Sequence, residues 1–287
     1  MTDPSDDTRL LRPVSGRREP IRPFLKWAGG KRSLIPQLLP HLPKRFGCYF
    51  EPFVGSAAVF FHLAPQRAVL SDTNERLVRT YKGLRDDPEG VIARLKDFPH
   101  EKSFFLRKRQ EKIDDAGDTE LAAWFIYLNK TGYNGLYRVN SKNVFNVPFG
   151  SYKRPKICDE PRLRACAARL ANVAIHVRDF EAAADGAKKG DLVYFDPPYV
   201  PLSATSSFTS YTRHGFGPPE QERLRDAALR LVHRGVHVVI SNSSAPLVRE
   251  LYAGAAFELI EIAARRSINS RADRRGAVVE LLIKGRG

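Results

Sequence analysis

Cysteine is scarce in this chain. Cys48, Cys158 and Cys166 are the only three in 287 residues, and without paired spacing they make neither a disulfide framework nor a zinc ligand set. Seven histidines are scattered without ligand spacing, so no metal is expected. No apolar run reaches the roughly 18–20 residues that a bilayer span requires. Residues 1–20, MTDPSDDTRLLRPVSGRREP, hold four acids and four bases and lack the apolar stretch of a secretory signal. They read as a disordered polar tail. Nothing repeats along the sequence. Reduced thiols in a cytoplasmic protein, with no membrane partner, are the expectation.

What is abundant is positive charge. Forty-seven Lys and Arg stand against 32 Asp and Glu, a net +15 with a pI near 9.9. The tail is neutral, so the excess falls wholly within residues 21–287. Such a balance favours a polyanionic partner, because phosphate neutralisation releases counterions. A hydrophobic share of 43% suffices for a sizeable core.

From about residue 46 the pattern alternates. CYFEPF reads as a buried strand, VGSA as a turn, AVFFHLA as a helix, RAVLSD as a second strand and NERLVRTYKGL as its helix. From residue 75 to about 130 the apolar spacing is helical throughout. TGYNGLYRVNSKNVFNVPFG follows, a turn leading into a β-ribbon. Alternation resumes with the strand candidates NVAIHV, DLVYFD, VHVVIS, FELIEI and AVVELLI and helices at Pro219–Arg234 and Ala245–Tyr252. The expected fold is α/β, a doubly wound, mostly parallel Rossmann-like sheet. Residues 21–74 and 161–287 form its core, and residues 75–160 an inserted helical and hairpin lobe.

The segment DLVYFDPPY ends an apolar strand abruptly in Asp196-Pro197-Pro198-Tyr199. In an open α/β sheet the carboxyl ends of strands face the ligand crevice. The prolines fix φ and donate no N–H, so the Pro197 carbonyl is rigid and unpaired beside the Asp196 carboxylate. Two adjacent acceptors suit an amino group with two N–H donors. The exocyclic amine of adenine is such a group, and a poor nucleophile because its lone pair is delocalised into the ring. Accepting both N–H bonds localises that pair, and the carboxylate stabilises the developing positive charge. Tyr199 offers a stacking face. Such an amine is out of reach inside a duplex, so the base has to flip out. A proline-rich turn with an Asx cap is the plain structural alternative.

FLKWAGGKRS invites a phosphate-loop reading, which fails because Leu25 and Arg32 stand where glycine and Ser or Thr are required. The Ala28-Gly29-Gly30 turn can instead bring Trp27 and Lys31 to a small ligand. Glu51-Pro52-Phe53-Val54-Gly55-Ser56 ends the first strand of the alternating pattern, and Gly55 suits a backbone passing closely by a cofactor. Asp72 closes the next strand, where an acid can accept both ribose hydroxyls. Turn and acid point to a nucleoside-containing cofactor without separating NAD from S-adenosylmethionine; Asp196-Pro197-Pro198-Tyr199 favours the latter.

Lys130 to Lys156 holds six Lys or Arg and no acid, interleaved with Tyr133, Tyr137, Phe145, Phe149 and Tyr152. That mixture suits phosphate contact with stacking or wedging between bases, and Arg138 can pair with a guanine edge. Asn134 can contact a base or the backbone. A second basic cluster comprises Arg265, Arg266, Arg271, Arg274 and Arg275.

FLKWAGGK, EPFVGS, SDTN, NKTGYNGLYRVN, FNVPFG, DPPYVPLSAT and RRSI, in that order from Phe24 to Lys284, resemble the Dam-type (D12 class) site-specific DNA adenine N6-methyltransferases. The resemblance implies that Trp27, Lys31, Phe53, Gly55, Asp72 and Asp196 line an S-adenosyl-L-methionine site, left holding S-adenosyl-L-homocysteine after transfer. Catalysis falls to Asp196, Pro197 and Tyr199. Tyr133, Asn134, Leu136, Arg138 and Pro148 belong to a hairpin reading double-stranded DNA at a GATC-like site, and Lys26 faces a base near the flipped adenine. VPLSATSSFTSY would close over that base. A monomer at a bacterial or phage nucleoid is expected. The alternatives are a cytosine-N4 methyltransferase, an RNA target, or a DNA-binding relative without turnover. One departure stands out. Ala57 replaces a usual glycine, which predicts an added methyl against the cofactor and a backbone with φ below zero.

Overall fold

The computed structural model describes residues 20–202, 216–265 and 277–286. The polar tail up to residue 19, most of VPLSATSSFTSY and the arginines of the second basic cluster beyond Arg265 lie outside the described residues.

The chain runs through a short helix α1 (Ile35–Leu38) into β1 (Tyr49–Glu51), α2 (Ala58–Leu63) and β2 (Ala68–Asp72). It then leaves the sheet for α3 (Glu75–Asp86), α4 (Pro88–Lys96), α5 (Lys102–Arg109) and α6 (Asp118–Thr131), and comes back through α7 (Glu160–Leu170). The second half alternates β3 (Val173–Val177), α8 (Phe180–Ala184), β4 (Leu192–Phe195), α9 (Pro218–His233), β5 (His237–Ser243) and α10 (Pro246–Leu251). It ends with β6 (Phe257–Arg265) and β7 (Ala277–Gly285).

These strands form one sheet of order β3-β2-β1-β4-β5-β7-β6. It is parallel from β3 to β5, while β7 lies antiparallel between β5 and β6. The Rossmann-like architecture expected from the alternation is present. Alternation along each strand splits the core: Tyr49, Leu192 and Tyr194 join one buried layer with α3, α6 and α7. Phe50, Val193 and Phe195 join the other with α8, α9 and α10. Two apolar faces require two helical layers. The order in which strands are added reverses between β1 and β4, and the crevice of a doubly wound sheet opens at such a switch.

The helical block is anchored, not appended. Residues Leu121–Thr131 of α6 are buried on every side, as befits a helix apolar all round. Trp124 Nε1 donates to the Lys108 carbonyl at 2.6 Å, and Arg76 grips Asp114 with two bonds of 2.5 and 2.6 Å. The expected β-ribbon after α6 is reduced to two isolated bridges, Gly132 to Phe149 and Val139 to Phe145. Left-handed backbone at Asn134, Gly135 and Asn143 turns the chain too often for a continuous ladder, and Pro148 has no N–H to give.

Candidate active site

Three neighbouring parallel strands bring acids to one edge of the sheet. Glu51 closes β1, Asp72 closes β2, and Asp196 follows β4 directly. All three line one cavity of about 370 Å³, together with Trp27, Lys31, Phe53, Gly55, Pro197 and Tyr199. A fourth acid, Glu280 of β7, reaches the same cavity.

Lys31 Nζ lies 2.7 Å from Asp196 Oδ1, donates to the Gly29 carbonyl at 2.6 Å and sits 4.6 Å above the Tyr199 ring centroid. Its side chain is only 6% exposed, so the carboxylate supplies the counter-charge that a buried ammonium needs. Burial drives the Asp196 carboxyl up to about 6 against the opposing pull of Lys31, with Glu280 adding to the rise. Among the described residues nothing donates to Asp196 Oδ2 or to the Pro197 carbonyl. The next carbonyl differs. Gln221 Nε2 donates to Pro198 O at 3.0 Å while its own Oε1 accepts from Asn242 Nδ2 at 3.0 Å. Asn242 Oδ1 in turn accepts from Val200 N at 3.2 Å. An amide pair from α9 and β5 thus pins the loop on either side of Tyr199.

At the other end of the cavity, Asp72 accepts from the backbone N–H groups of Asn74 at 3.0 Å and Gly55 at 3.4 Å. Burial still lifts its carboxyl to about 6. Gly55 has φ +43°, and a side chain there would begin 2.8 Å from Trp27 Cδ1. The indole therefore packs on bare backbone. Its ring is nearly parallel to those of Phe125 and Tyr137, with centroids 6.4 and 6.2 Å away. Phe53 stacks on Phe180 at 5.5 Å. Glu51 is 3% exposed; it accepts from Tyr49 Oη at 3.0 Å, and burial raises its carboxyl to about 8.

The hairpin adjoins this cavity through Tyr137, which lines it. Tyr133 is half exposed, and Asn134, Arg138 and Pro148 are exposed beside it, whereas Leu136 is half-buried against the core. Lys26 is exposed; its stem passes the Gly135 turn, and its Nζ lies 4.0 Å over the Tyr152 ring. Arg138 Nε donates to Asn146 Oδ1 at 2.7 Å. The interleaved aromatics do not form an exposed row. Phe145 is 2% exposed, and Phe149 and Tyr137 pack on the core. They hold the hairpin down, and Tyr133 is the ring it presents.

Residues 27–268 match the family described as D12 class N6 adenine-specific DNA methyltransferase. The chain belongs to that family. The type II methyltransferase M1.LlaDCHI of Lactococcus lactis subsp. cremoris is 44% identical over 275 residues, 93% of this chain and 96% of that one. The type II methyltransferase M.MjaIII of Methanocaldococcus jannaschii is 40% identical, covering 92% and 98%. The DNA adenine methylase of Haemophilus influenzae is 35% identical, covering 95% and 98%. Among solved structures, TrmN from Thermus thermophilus aligns with 89% of this chain and 48% of its own at a TM-score of 0.38 and 10% identity, too slight a likeness to bear on fold or function.

Two acids of this methyltransferase's cavity carried no signal of their own in the sequence. Glu51 sat in view inside EPFVGS, but nothing local distinguishes a strand-end acid facing a cavity from one facing water. Glu280 is hidden in AVVELLI, where it reads as a lone polar residue in an apolar strand. Among the described residues no helix is long and apolar enough to cross a membrane, and no three His, Cys, Asp or Glu side chains gather as a metal site.

Ala57 corrects an expectation. Its φ is +52°, so this alanine takes up the left-handed backbone that was expected to exclude it. Its methyl is fully buried in the core, while its neighbours Ser56 and Ala58 line the cavity. A left-handed non-glycine residue costs about 1–2 kcal/mol. Burial of the methyl returns ~0.8 kcal/mol, and reduced freedom of the unfolded chain ~0.4–1 kcal/mol. Ala57→Gly should therefore alter stability by less than about 1 kcal/mol and leave cofactor affinity unchanged. Denaturant melts and calorimetric titration check both; a tighter-binding glycine variant would show that the methyl does reach the cofactor.

Proposed function

We propose that this chain transfers a methyl group from S-adenosyl-L-methionine to N6 of an adenine extruded from double-stranded DNA. The observation that carries the reading is one cavity with a ribose-binding type of acid at one end and two unpaired acceptors, Asp196 Oδ2 and Pro197 O, at the other.

The residues present fit this donor. The cradle over Gly55 exists because no Cβ fills it, and a cavity of this size falls within the range of cofactor sites. Four acids and one lysine line the cavity; even with burial favouring the protonated form of Glu51, the acids outnumber the lysine, a set suited to a cationic guest. Asp72 would take the ribose hydroxyls, Trp27 and Phe53 would supply aromatic walls, and Lys31 would face the guest while holding Asp196. When bound, S-adenosyl-L-methionine supplies a methyl group made electrophilic by its sulfonium.

The protein's own part is to prepare the amine. Asp196 Oδ2 and Pro197 O accept the two N–H bonds of N6, which draws its lone pair out of the ring and stabilises the charge that grows there. Tyr199 gives the extruded base a face, a contact worth about 1–3 kcal/mol. The pinned loop spares the site the cost of ordering these groups during reaction.

The hairpin is proposed to choose the site, GATC-like as the family resemblance implies. Tyr133, Asn134, Leu136 and Pro148 approach the duplex, Lys26 faces the neighbouring base and Arg138 reads a base edge. Arg138→Ala should relax discrimination at one base pair by about 1–3 kcal/mol, roughly 10- to 100-fold. Methylation rates on duplexes substituted one pair at a time test this, and unchanged discrimination would remove Arg138 from the reading set.

Incubation with plasmid and methyl-labelled S-adenosyl-L-methionine, followed by hydrolysis to nucleosides, tests the function. N6-methyladenine is expected. Label in N4-methylcytosine, or in RNA alone, would overturn the reading.

A further inference from the structure

β7 is the strand that runs against its neighbours, and its register sets Glu280 opposite Ser243 of β5. From there the carboxylate enters the cavity that Asp196 lines. Its Oε2 accepts the Tyr199 hydroxyl at 2.8 Å. Tyr199 is thereby held at its phenolic end by Glu280 and on its face by Lys31, the same lysine that pairs with Asp196. The groups facing Asp196 come from several elements: Lys31 before α1, Tyr49 and Glu51 from β1, Tyr194 from β4, Tyr199 from the loop beyond it and Glu280 from β7. Lys31 is the sole cation in that set.

Methyl transfer to an amine is not complete when the carbon–nitrogen bond has formed. The N6 lone pair becomes that bond, the electrons of the broken carbon–sulfur bond go to sulfur, and N6 is left with two hydrogens, a methyl group and a positive charge. One proton must leave to give neutral N6-methyladenine. Asp196 Oδ2, which accepts one of those N–H bonds from the outset, is placed to take it and pass it to solvent.

We propose that Glu280 is a positioning residue for this proton transfer, its charge holding Asp196 as a proton acceptor against the opposing charge of Lys31. The inference rests on the methyl-transfer reading above. Lys31 alone would make Asp196 a strong acid and so a poor base. Burial does most to offset that pull, and the carboxylate that holds the Tyr199 hydroxyl adds to the offset. Burial acts on Asp196 in the same direction as Glu280, and together they keep its carboxyl near 6 in spite of the lysine. A base serves best when its proton affinity lies close to the working pH. The hydrogen bond to Tyr199 fixes the distance at which the charge acts.

Glu280→Gln separates charge from hydrogen bond, since the amide oxygen still accepts from Tyr199. Single-turnover methylation of a duplex with saturating S-adenosyl-L-methionine is measured from about pH 5 to pH 9. The Asp196 carboxyl is titrated in the full-length protein, without cofactor, by 13C NMR with Asp196→Asn assigning the signal. In Glu280→Gln the acid limb and the NMR midpoint should both move to lower pH, and the plateau rate should fall roughly three- to tenfold. Glu280→Asp, which keeps the charge, should hold the midpoint close to that of the natural protein. Tyr199→Phe, which keeps the ring and loses the hydroxyl, should leave it nearer the natural protein than Glu280→Gln does. An unmoved midpoint in Glu280→Gln, or an equal shift in Tyr199→Phe, would overturn the proposal. Failure of the parent reading looks different: the natural protein would then make no N6-methyladenine, whatever the NMR midpoints did.

Discussion

Asp196→Ala is expected to slow methyl transfer by roughly a thousandfold or more while duplex affinity at fixed salt changes little. On the proposed mechanism the carboxylate is one of the two acceptors that make N6 reactive, and the only one of them that carries charge. Its loss leaves the Pro197 carbonyl alone to take both N–H bonds. It also leaves Lys31, 6% exposed, with the Gly29 carbonyl and no counter-charge in contact, so some stability should be lost as well. Asp196→Asn controls for that, because it keeps the shape and one acceptor oxygen while removing the charge. DNA affinity should survive because the exposed basic side chains and Tyr133 of the hairpin, to which DNA binding is assigned on the proposed reading, lie outside this contact. Single-turnover rates and gel shifts at one salt concentration give the two readouts. Retained turnover in both variants would take Asp196 out of catalysis.

Gly55→Ala should weaken cofactor binding by about ten- to a hundredfold, the consequence of roughly 1–3 kcal/mol of backbone strain and displaced packing. The glycine has φ +43°, and its added Cβ would lie 2.8 Å from one indole atom and 3.0 Å from another. The backbone cannot simply yield, because the Gly55 carbonyl accepts from the buried Tyr81 hydroxyl at 2.9 Å and its N–H points to Asp72. Trp27 has to move instead, and its stack with Phe125 and Tyr137 goes with it. Calorimetric titration with S-adenosyl-L-homocysteine, alongside tryptophan emission in a Trp124→Phe background that leaves Trp27 as the one indole, measures both effects. Wild-type affinity with an unshifted emission would show that the indole is not a wall of the site.

The sheet was legible because its signals are local. Apolar runs such as DLVYFD and VHVVIS are strands whatever lies beside them, and the acids that end RAVLSD and DLVYFD mark the crevice because parallel strands all finish on one edge. The loop after DLVYFD was legible for a similar reason, since two prolines after an apolar strand leave few conformations. Burial across the chain was not. Phe145 and Phe149 read as rings for stacking or wedging between bases, yet α5 and α6 cover them, and no pattern within the hairpin reports a helix packed on it. Glu280 enters the site only because β7 slips antiparallel between β5 and β6, a choice of neighbours that the segment AVVELLI does not encode by itself. Ala57 shows the limit of single-residue rules. Alanine disfavours left-handed backbone, but the turn from β1 into α2 demands it and burial of the methyl repays part of the cost.

The most direct measurement is a crystal structure of the protein with S-adenosyl-L-homocysteine and a duplex carrying its target adenine. The expected result has the extruded base on Tyr199 and its N6 within hydrogen-bonding distance of both Asp196 Oδ2 and the Pro197 oxygen, facing the sulfur of the bound product. An adenine still stacked in the duplex, or an N6 turned from those two oxygens, would contradict it.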